Sequence, residues 1–151
     1  MMLQPSASFT RPSNTTAYTA GDVVSVTAGA AMEFTSGGEG LVRAAVLIDS
    51  AAESTKPEFD LFLFTVKPTI AADNAAFAPT DAEMLNCVGV IVFLAADFKT
   101  GSGNGITQAD VSDMGYTAPD GILYGVLVAR NAYVPVSAEV FAVRLSIIQD
   151  S

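Results

Sequence analysis

The sequence contains no histidine, no tryptophan and only one cysteine, Cys87. The lack of histidine excludes histidine-based catalytic triads, histidine metal sites and the side chain that most often serves as a general base. A single cysteine excludes an internal disulfide and thiolate zinc sites, which require several thiolates. Because Cys87 lies in an apolar run, we expect it to act as a small buried hydrophobic side chain.

Charged residues are scarce as well, at 15% of the chain against about 25% in typical soluble domains. Seven basic and sixteen acidic residues give a net charge of −9, and the basic residues are scattered singly. Because nucleic acids and anionic membranes bind clustered cations, we expect neither as a partner. The longest apolar run, Val88 to Ala96, is too short for a membrane helix of about 18–20 residues.

Half of the 151 residues are hydrophobic, and the chain has the length of a single domain. Short β-branched and aromatic runs alternate with clusters of Gly, Pro, Asn and Ser, which is typical of strands and turns. We predict strands near residues 22–28, 31–35, 41–49, 59–66, 88–95, 122–129 and 139–148. In the last of these, Phe141, Val143 and Leu145 share one face. The predicted fold is all-β, an antiparallel β-sandwich over residues 21–151, of which the jelly roll is one form.

One or two short helices are predicted from capping boxes, in which a side chain and a backbone amide bond each other reciprocally across three residues. Thr80 and Glu83 predict a helix over residues 81–86. Thr107 and Asp110 give a weaker indication of a second helix.

Three of the predicted strands are apolar on both faces: 59–66, 88–95 and 122–129. In the first of these, Leu61 and Leu63 alternate with Phe62 and Phe64, so both faces of the strand require cover. A neighbouring subunit would supply the second cover. The mean hydropathy of +0.42 is also high for a soluble monomer, and apolar surface in excess points to burial between subunits. We therefore expect an oligomer.

Carboxylates remain as candidates for catalysis or metal binding. They occur in two segments: Asp73, Asp81 and Glu83, then Asp97, Asp110, Asp113 and Asp120. Their spacing indicates neither a facing glycosidase pair nor an EF-hand calcium loop. The glycine-rich stretch 101–105 lacks the third glycine of a dinucleotide-binding loop, because Ile106 stands there. We expect solvated loop acids, no metal, no cofactor and no enzymatic activity, with a two-carboxylate hydrolase as a weaker alternative.

The N-terminal residues 1–20 have no core-forming pattern. Pro12 favours extended geometry in the residue before it, and small polar residues follow it. Phe9 and Tyr18 are rigid apolar anchors, and Arg11 is a cation suited to a bidentate carboxylate contact. We predict an extended N-terminal arm that docks on a neighbouring chain through Phe9, Arg11, Pro12 and Tyr18. The alternative is a first edge strand packed on its own domain.

Three pieces of the sequence are distinctive: Arg11 to Tyr18, Asp73 to Phe77, and Tyr133 to Phe141. They belong to longer stretches that occur in order along the chain, at 11–24, 61–84 and 123–150. These stretches resemble a family of small structural proteins of tailed bacteriophages, the capsid decoration (cement) proteins. None of the pieces is a catalytic signature.

The resemblance implies a β-rich and typically trimeric protein on the outer surface of the capsid of a virion. There it would clamp neighbouring subunits of the major capsid protein and resist the pressure of packaged DNA. The expected partners are therefore the major capsid protein and further copies of the chain in a homotrimer. The alternative function is a trimeric carbohydrate- or receptor-binding head module of a phage fibre or spike, whose expected mark is a loop site rich in aromatic and acidic side chains.

Overall fold

The computed structural model describes residues 1–51 and 55–149, which form two antiparallel β-sheets packed on each other. The six-stranded sheet contains β1 (Met2–Leu3), β2 (Ser6–Thr10), β5 (Glu39–Asp49), β8 (Lys99–Thr100), β9 (Gly105–Thr117) and β11 (Val140–Ile148). The five-stranded sheet contains β3 (Val23–Val24), β4 (Met32–Thr35), β6 (Phe59–Phe64), β7 (Cys87–Phe93) and β10 (Ile122–Ala129). The predicted all-β sandwich is thereby confirmed.

Each sheet is organised around one long strand near the C-terminus. In the six-stranded sheet the order is β1-β11-β5-β9-β8, and β2 pairs with β11 on the same edge as β1. In the five-stranded sheet the order is β3-β10-β6-β7, and β4 also pairs with β10. The register aligns Phe141 of β11 with Phe9 of β2 on one side and with Asp49 of β5 on the other.

The main core lies between the sheets. The alternation in β11 places Phe141, Val143 and Leu145 inward, each no more than 1% exposed, as the sequence pattern predicted. Phe59 of the opposite sheet meets Phe141 edge to face, with ring centroids 5.1 Å apart. Burial of each such side chain contributes about 1.5–3 kcal/mol to the free energy of unfolding, so β11 is a principal contributor to the stability of the sandwich.

The predicted helix at 81–86 is confirmed as α1 (Asp81–Met84). Its capping box is complete, because the amide of Glu83 donates to the Thr80 hydroxyl at 3.1 Å and the amide of Thr80 donates to the Glu83 carboxylate at 2.9 Å. A 3₁₀ turn follows β7 at Ala95–Asp97. Within residues 1–51 and 55–149, no helix is long and apolar enough to cross a membrane.

The second predicted helix is wrong, because Thr107 and Asp110 lie in β9. Thr107 is paired with Leu47 and Asp110 with Ala44 of β5. The long apolar strand β5 needs a partner on this side, and that long-range pairing overrides a local capping signal.

The outer face of the five-stranded sheet carries a second apolar cluster, which the chain covers with its own loop between β6 and α1. Phe77 of that loop packs edge to face on Phe62 and Phe64, with ring centroids 5.1 and 6.2 Å apart. No neighbouring subunit is needed to cover β6, which differs from the expectation based on its two apolar faces. Val90 and Val92 of β7 stay 39% exposed.

Residues 1–20 also differ from the predicted arm. β2 is hydrogen-bonded to β11 throughout its length, and Tyr18 exchanges backbone hydrogen bonds of 2.8 and 3.2 Å with Tyr133. The inward side chains Ala7 and Phe9 pack against the main core, which is the physical reason that the segment joins the sheet. The arrangement is that of the alternative, an edge strand packed on its own domain, and no domain boundary separates residues 1–20 from residues 21–151.

Phe141→Asp is expected to unfold the protein, because a buried charge without a partner costs several kcal/mol against a total stability of about 5–15 kcal/mol. The control is Asp120→Asn in an exposed turn, which is expected to change the stability by about 0.5 kcal/mol or less. Thermal melting monitored by circular dichroism measures both variants. Similar melting temperatures for the two variants would show that the inward face of β11 is assigned incorrectly.

Candidate functional site

A polar cluster with a buried centre forms where the three distinctive pieces of the sequence meet, and we call it the Arg11 cluster. It consists of Arg11, Asn14, Tyr18, Asp73, Asn74, Tyr133 and Glu139. Although the pieces are separated by more than 50 residues along the chain, the sandwich brings them together at one end of the strand pair β2 and β11. The cluster is the candidate site because it joins every piece that carries the resemblance.

Arg11, directly after β2, is at the centre of the cluster and only 1% exposed. Its Nε donates to the Tyr18 hydroxyl at 2.9 Å. Its Nη1 donates to the backbone carbonyls of Pro12, Asn14 and Val136 at 3.1, 2.6 and 2.9 Å, and Nη2 donates to the Asn14 side-chain oxygen at 3.0 Å. A buried guanidinium is stable only when its donors are satisfied, and all three nitrogens of Arg11 have acceptors.

Tyr18 connects Arg11 to Asp73, in the loop between β6 and α1. The Tyr18 hydroxyl donates to Asp73 Oδ1 at 2.6 Å, and the amide of Ser25 donates to the same oxygen at 3.0 Å. The other carboxylate oxygen of Asp73 lies 4.0 Å from Arg11 Nη2. Burial, followed by the hydrogen bond to Asp73, raises the pKa of Tyr18, so the hydroxyl stays protonated and keeps its role as a donor.

Asn74 fixes the loop at this position through its backbone conformation. Its φ of 65° is in the left-handed region, which asparagine adopts more readily than most residues. Its side-chain amide donates to the carbonyls of Thr16 and Ala17 at 3.3 and 3.0 Å. The second distinctive piece is therefore hydrogen-bonded directly to the first.

Tyr133 and Glu139 supply the third piece. The Tyr133 hydroxyl lies 2.7 Å from both carboxylate oxygens of Glu139 and donates to that group, and the amide of Val136 donates to the same carboxylate at 3.0 Å. The Tyr133 ring is stacked on the Tyr18 ring, with centroids 6.3 Å apart and planes 7° apart. The amide of Arg11 donates to the Glu139 carbonyl at 3.0 Å, which closes the contact between the first and third pieces.

The chemistry of the Arg11 cluster is that of a structural site, which holds chain segments together. Its polar groups point at one another, and its central cation is shielded from solvent. It joins residues that follow β2 and β10 to a residue that precedes β11 and to the loop after β6, so it links segments from both sheets. The arrangement suits the fixing of chain segments, not the presentation of a group to a ligand.

The residues predicted to bind a partner are placed inside the fold. Arg11 and Tyr18 are buried in the Arg11 cluster, and Pro12 is half-buried beside them. The carbonyl of Pro12 accepts hydrogen bonds from Arg11 and Asn14. Phe9 is half-buried and packs on the ring of Phe141, 5.9 Å away. The structure thus brings Arg11, Pro12 and Tyr18 together, but as internal contacts of the chain.

Sequence reasoning missed five members of the cluster: Asn14, Asp73, Asn74, Tyr133 and Glu139. Asp73 was expected to be a solvated loop acid, and the other four were not assigned to a site. The available signal was their position, since each of the five lies in one of the three distinctive pieces.

The other acids are dispersed over the described residues. Asp113 is paired with Arg43 at 3.2 Å on the exposed side of β9. Glu83 is held by the amides of Thr80 and Thr69, and these hydrogen bonds lower its pKa to about 2. Among residues 1–51 and 55–149, no group of three or more Cys, Asp or Glu side chains is arranged to hold a metal ion.

A shallow groove on the five-stranded sheet, which we call the Phe62 groove, combines aromatic and charged side chains. Its cavity of about 450 Å³ is lined by Phe62, Phe77 and Val128, with Asp60 and Arg130 at one side. Asp60 accepts from Arg130 Nη1 at 2.8 Å, and this contact raises the pKa of Arg130. The groove has the apolar floor and few polar groups of a small-ligand site.

A scan against protein-family models found no match to this chain. A search of curated proteins found no match either. The resemblance to capsid decoration proteins therefore stays a prediction from the sequence, and the function is argued from the geometry.

Tyr18→Phe is expected to lower the free energy of unfolding by about 1–3 kcal/mol, because it leaves Arg11 Nε without its acceptor and removes one of the two donors to Asp73 Oδ1. The matched control is Tyr124→Phe, because Tyr124 is also buried and its hydroxyl makes no hydrogen bond to the described residues. Urea unfolding of both variants measures the difference. Equal losses would contradict the assignment of Tyr18 as the link between Arg11 and Asp73.

Proposed function

We propose that this chain is a non-enzymatic structural protein of a tailed bacteriophage that decorates and cements the outer surface of the icosahedral head. The observation that carries the proposal is the convergence of the three distinctive pieces on the Arg11 cluster. Stretches that resemble one family and are distant in sequence form one structural unit in this fold. That is the behaviour expected of residues that determine a shared fold, and it supports the resemblance as one of whole domains.

A cement protein functions through rigidity and binding, and the fold supplies rigidity. The Arg11 cluster connects the segment after β2, the loop after β6 and the start of β11 to one another through hydrogen bonds. A rigid domain loses little conformational entropy on binding, so more of its contact energy is available for holding shell subunits together. A protein that binds only the assembled shell stabilises it by mass action, and many copies on each head add their effects.

The charge of the chain favours the outer side of the shell. With a net charge of −9, the protein would be repelled by the packaged DNA, whose phosphates bind clustered cations. The partners in this proposal are the major capsid protein and two further copies of the chain in a homotrimer. Exposed apolar side chains at Val90, Val92 and Leu85 supply surface for such contacts.

Heads that lack the protein are expected to assemble but to release their DNA at a lower temperature than decorated heads, because a clamp adds stability without templating the shell. Purified protein added back to bare heads is expected to restore the higher release temperature. DNA release can be followed with a dye that binds exposed DNA while the heads are heated. The control is the addition of the purified protein to isolated phage tails, which are expected not to bind it.

Equal release temperatures for bare and decorated heads would contradict the proposal. So would a location at the tail in a few copies per virion, because a cement protein must be present in hundreds of copies on the head.

The Phe62 groove favours a second candidate, the carbohydrate- or receptor-binding head module of a phage fibre or spike. A sugar ring could stack on the Phe62 face while Asp60 and Arg130 bond its hydroxyl groups. A glycan array separates the two functions. Binding that is lost in Phe62→Ala, from a protein located at the tail, would support this second candidate over the cement proposal.

A further inference from the structure

One cavity on the outer face of the six-stranded sheet has the features of a protein-docking socket, and we call it the Arg144 socket. It has a volume of about 490 Å³ and is lined by Val46, Asp97, Lys99, Ile106, Thr107, Gln108 and Arg144. Its apolar part is formed by Val46 of β5 and Ile106 of β9; Ile106 is 46% exposed, whereas Val46 is only 6% exposed. The two basic side chains flank this apolar part.

The two cations of the socket differ from the other basic residues of the chain. Arg11 and Lys56 are buried in internal contacts, and Arg43, Lys67 and Arg130 each form an ion pair with an acid. Within residues 1–51 and 55–149, Lys99 and Arg144 form no ion pair. The exposed cations that lack an acidic partner therefore line a single cavity, together with one acid, Asp97, on a protein whose net charge is −9.

A complementary feature lies at α1, and we call it the Leu85 knob. It consists of Asp81, Met84 and Leu85. Leu85 is 86% exposed and Met84 is 38% exposed, so the knob has an apolar tip. Asp81 in the first turn is exposed and acidic. The capping box of Thr80 and Glu83 fixes the turn that carries them, so the knob is rigid before any contact.

The knob of one chain cannot fill the socket of the same chain. Leu85 lies two residues before the start of β7, whereas Lys99 follows the far end of that strand. A seven-residue strand spans about 20 Å, and the socket lies on the opposite sheet. The complementary patch must therefore come from another molecule.

We propose that the Leu85 knob of one copy of this chain seats in the Arg144 socket of a second copy. Leu85 would cover the exposed side chain of Ile106, and Asp81 would pair with Arg144. Because the two patches differ, the contact is heterologous, and a heterologous contact that closes on itself forms a ring. The proposal deepens the homotrimer that is part of the proposed function, by naming the surfaces and the chemistry that join its subunits.

The test is the mass of the protein in solution at micromolar concentration, measured by light scattering and by sedimentation without any phage heads. The natural chain is expected to have three times the 15.6 kDa mass of one chain. Arg144→Glu and Leu85→Lys are each expected to raise the dissociation constant of the assembly by a factor of about 30 or more, because the first removes one member of a buried charged contact and the second places a cation opposite Lys99 and Arg144. Asp81→Lys combined with Arg144→Glu is expected to restore the assembly, because the pair is reversed in sign.

Arg43→Glu is the matched control, because Arg43 lies on the same sheet but outside the socket and is paired with Asp113. It is expected to leave the assembly intact. A monomeric natural chain, an unchanged mass for Arg144→Glu, dissociation by Arg43→Glu, or no restoration in the reversed pair would each overturn the proposal. Since no shell is present, these outcomes are independent of whether the protein cements a head: a trimer that leaves heads unprotected would refute only the proposed function.

Discussion

The fold depends on the burial of one guanidinium. Arginine stays charged in proteins, so Arg11 can be enclosed only if the chain supplies an acceptor for each of its nitrogens. Tyr18, Asn14 and Val136 supply acceptors within hydrogen-bonding distance. Four of the acceptors, on Pro12, Asn14 and Tyr18, lie within seven residues of Arg11, and the fifth, the carbonyl of Val136, lies 125 residues away. Satisfying the whole side chain therefore requires the N-terminal strand and the segment before β11 to be in place together.

This requirement explains why the N-terminal residues are part of the sandwich and not an arm. β2 alone is a short edge strand, and its pairing with β11 would be marginal without a second attachment. The Arg11 cluster provides that attachment, because Arg11 follows β2 directly and the side-chain amide of Asn74 donates to the carbonyls of Thr16 and Ala17. The loop after β6 is in turn fixed by the hydrogen bond from Tyr18 to Asp73, so the same contacts position the segment that covers the outer face of the five-stranded sheet.

Much of the sandwich could be predicted from the sequence, because period-two alternation such as that of Phe141 and Val143 is a local property. The capping box at Thr80 is local too, and it was found. The strand β9 was missed because its pairing with β5 is a long-range interaction that its polar composition does not reveal. The role of Asp73 was missed for the same reason, since its partners Tyr18 and Ser25 lie about 50 residues away.

In the proposed function, the Arg11 cluster would keep the shape of the domain fixed while the protein holds neighbouring capsid subunits together. The most direct test of that account is hydrogen–deuterium exchange on Arg11→Ala. We expect loss of amide protection in β2, in the loop at Asp73 and at the start of β11 together, while the amides of β6 and β7 stay protected. Loss confined to residues 6–18, with Asp73 and Glu139 regions unchanged, would contradict the claim that one buried cation holds the three segments in place.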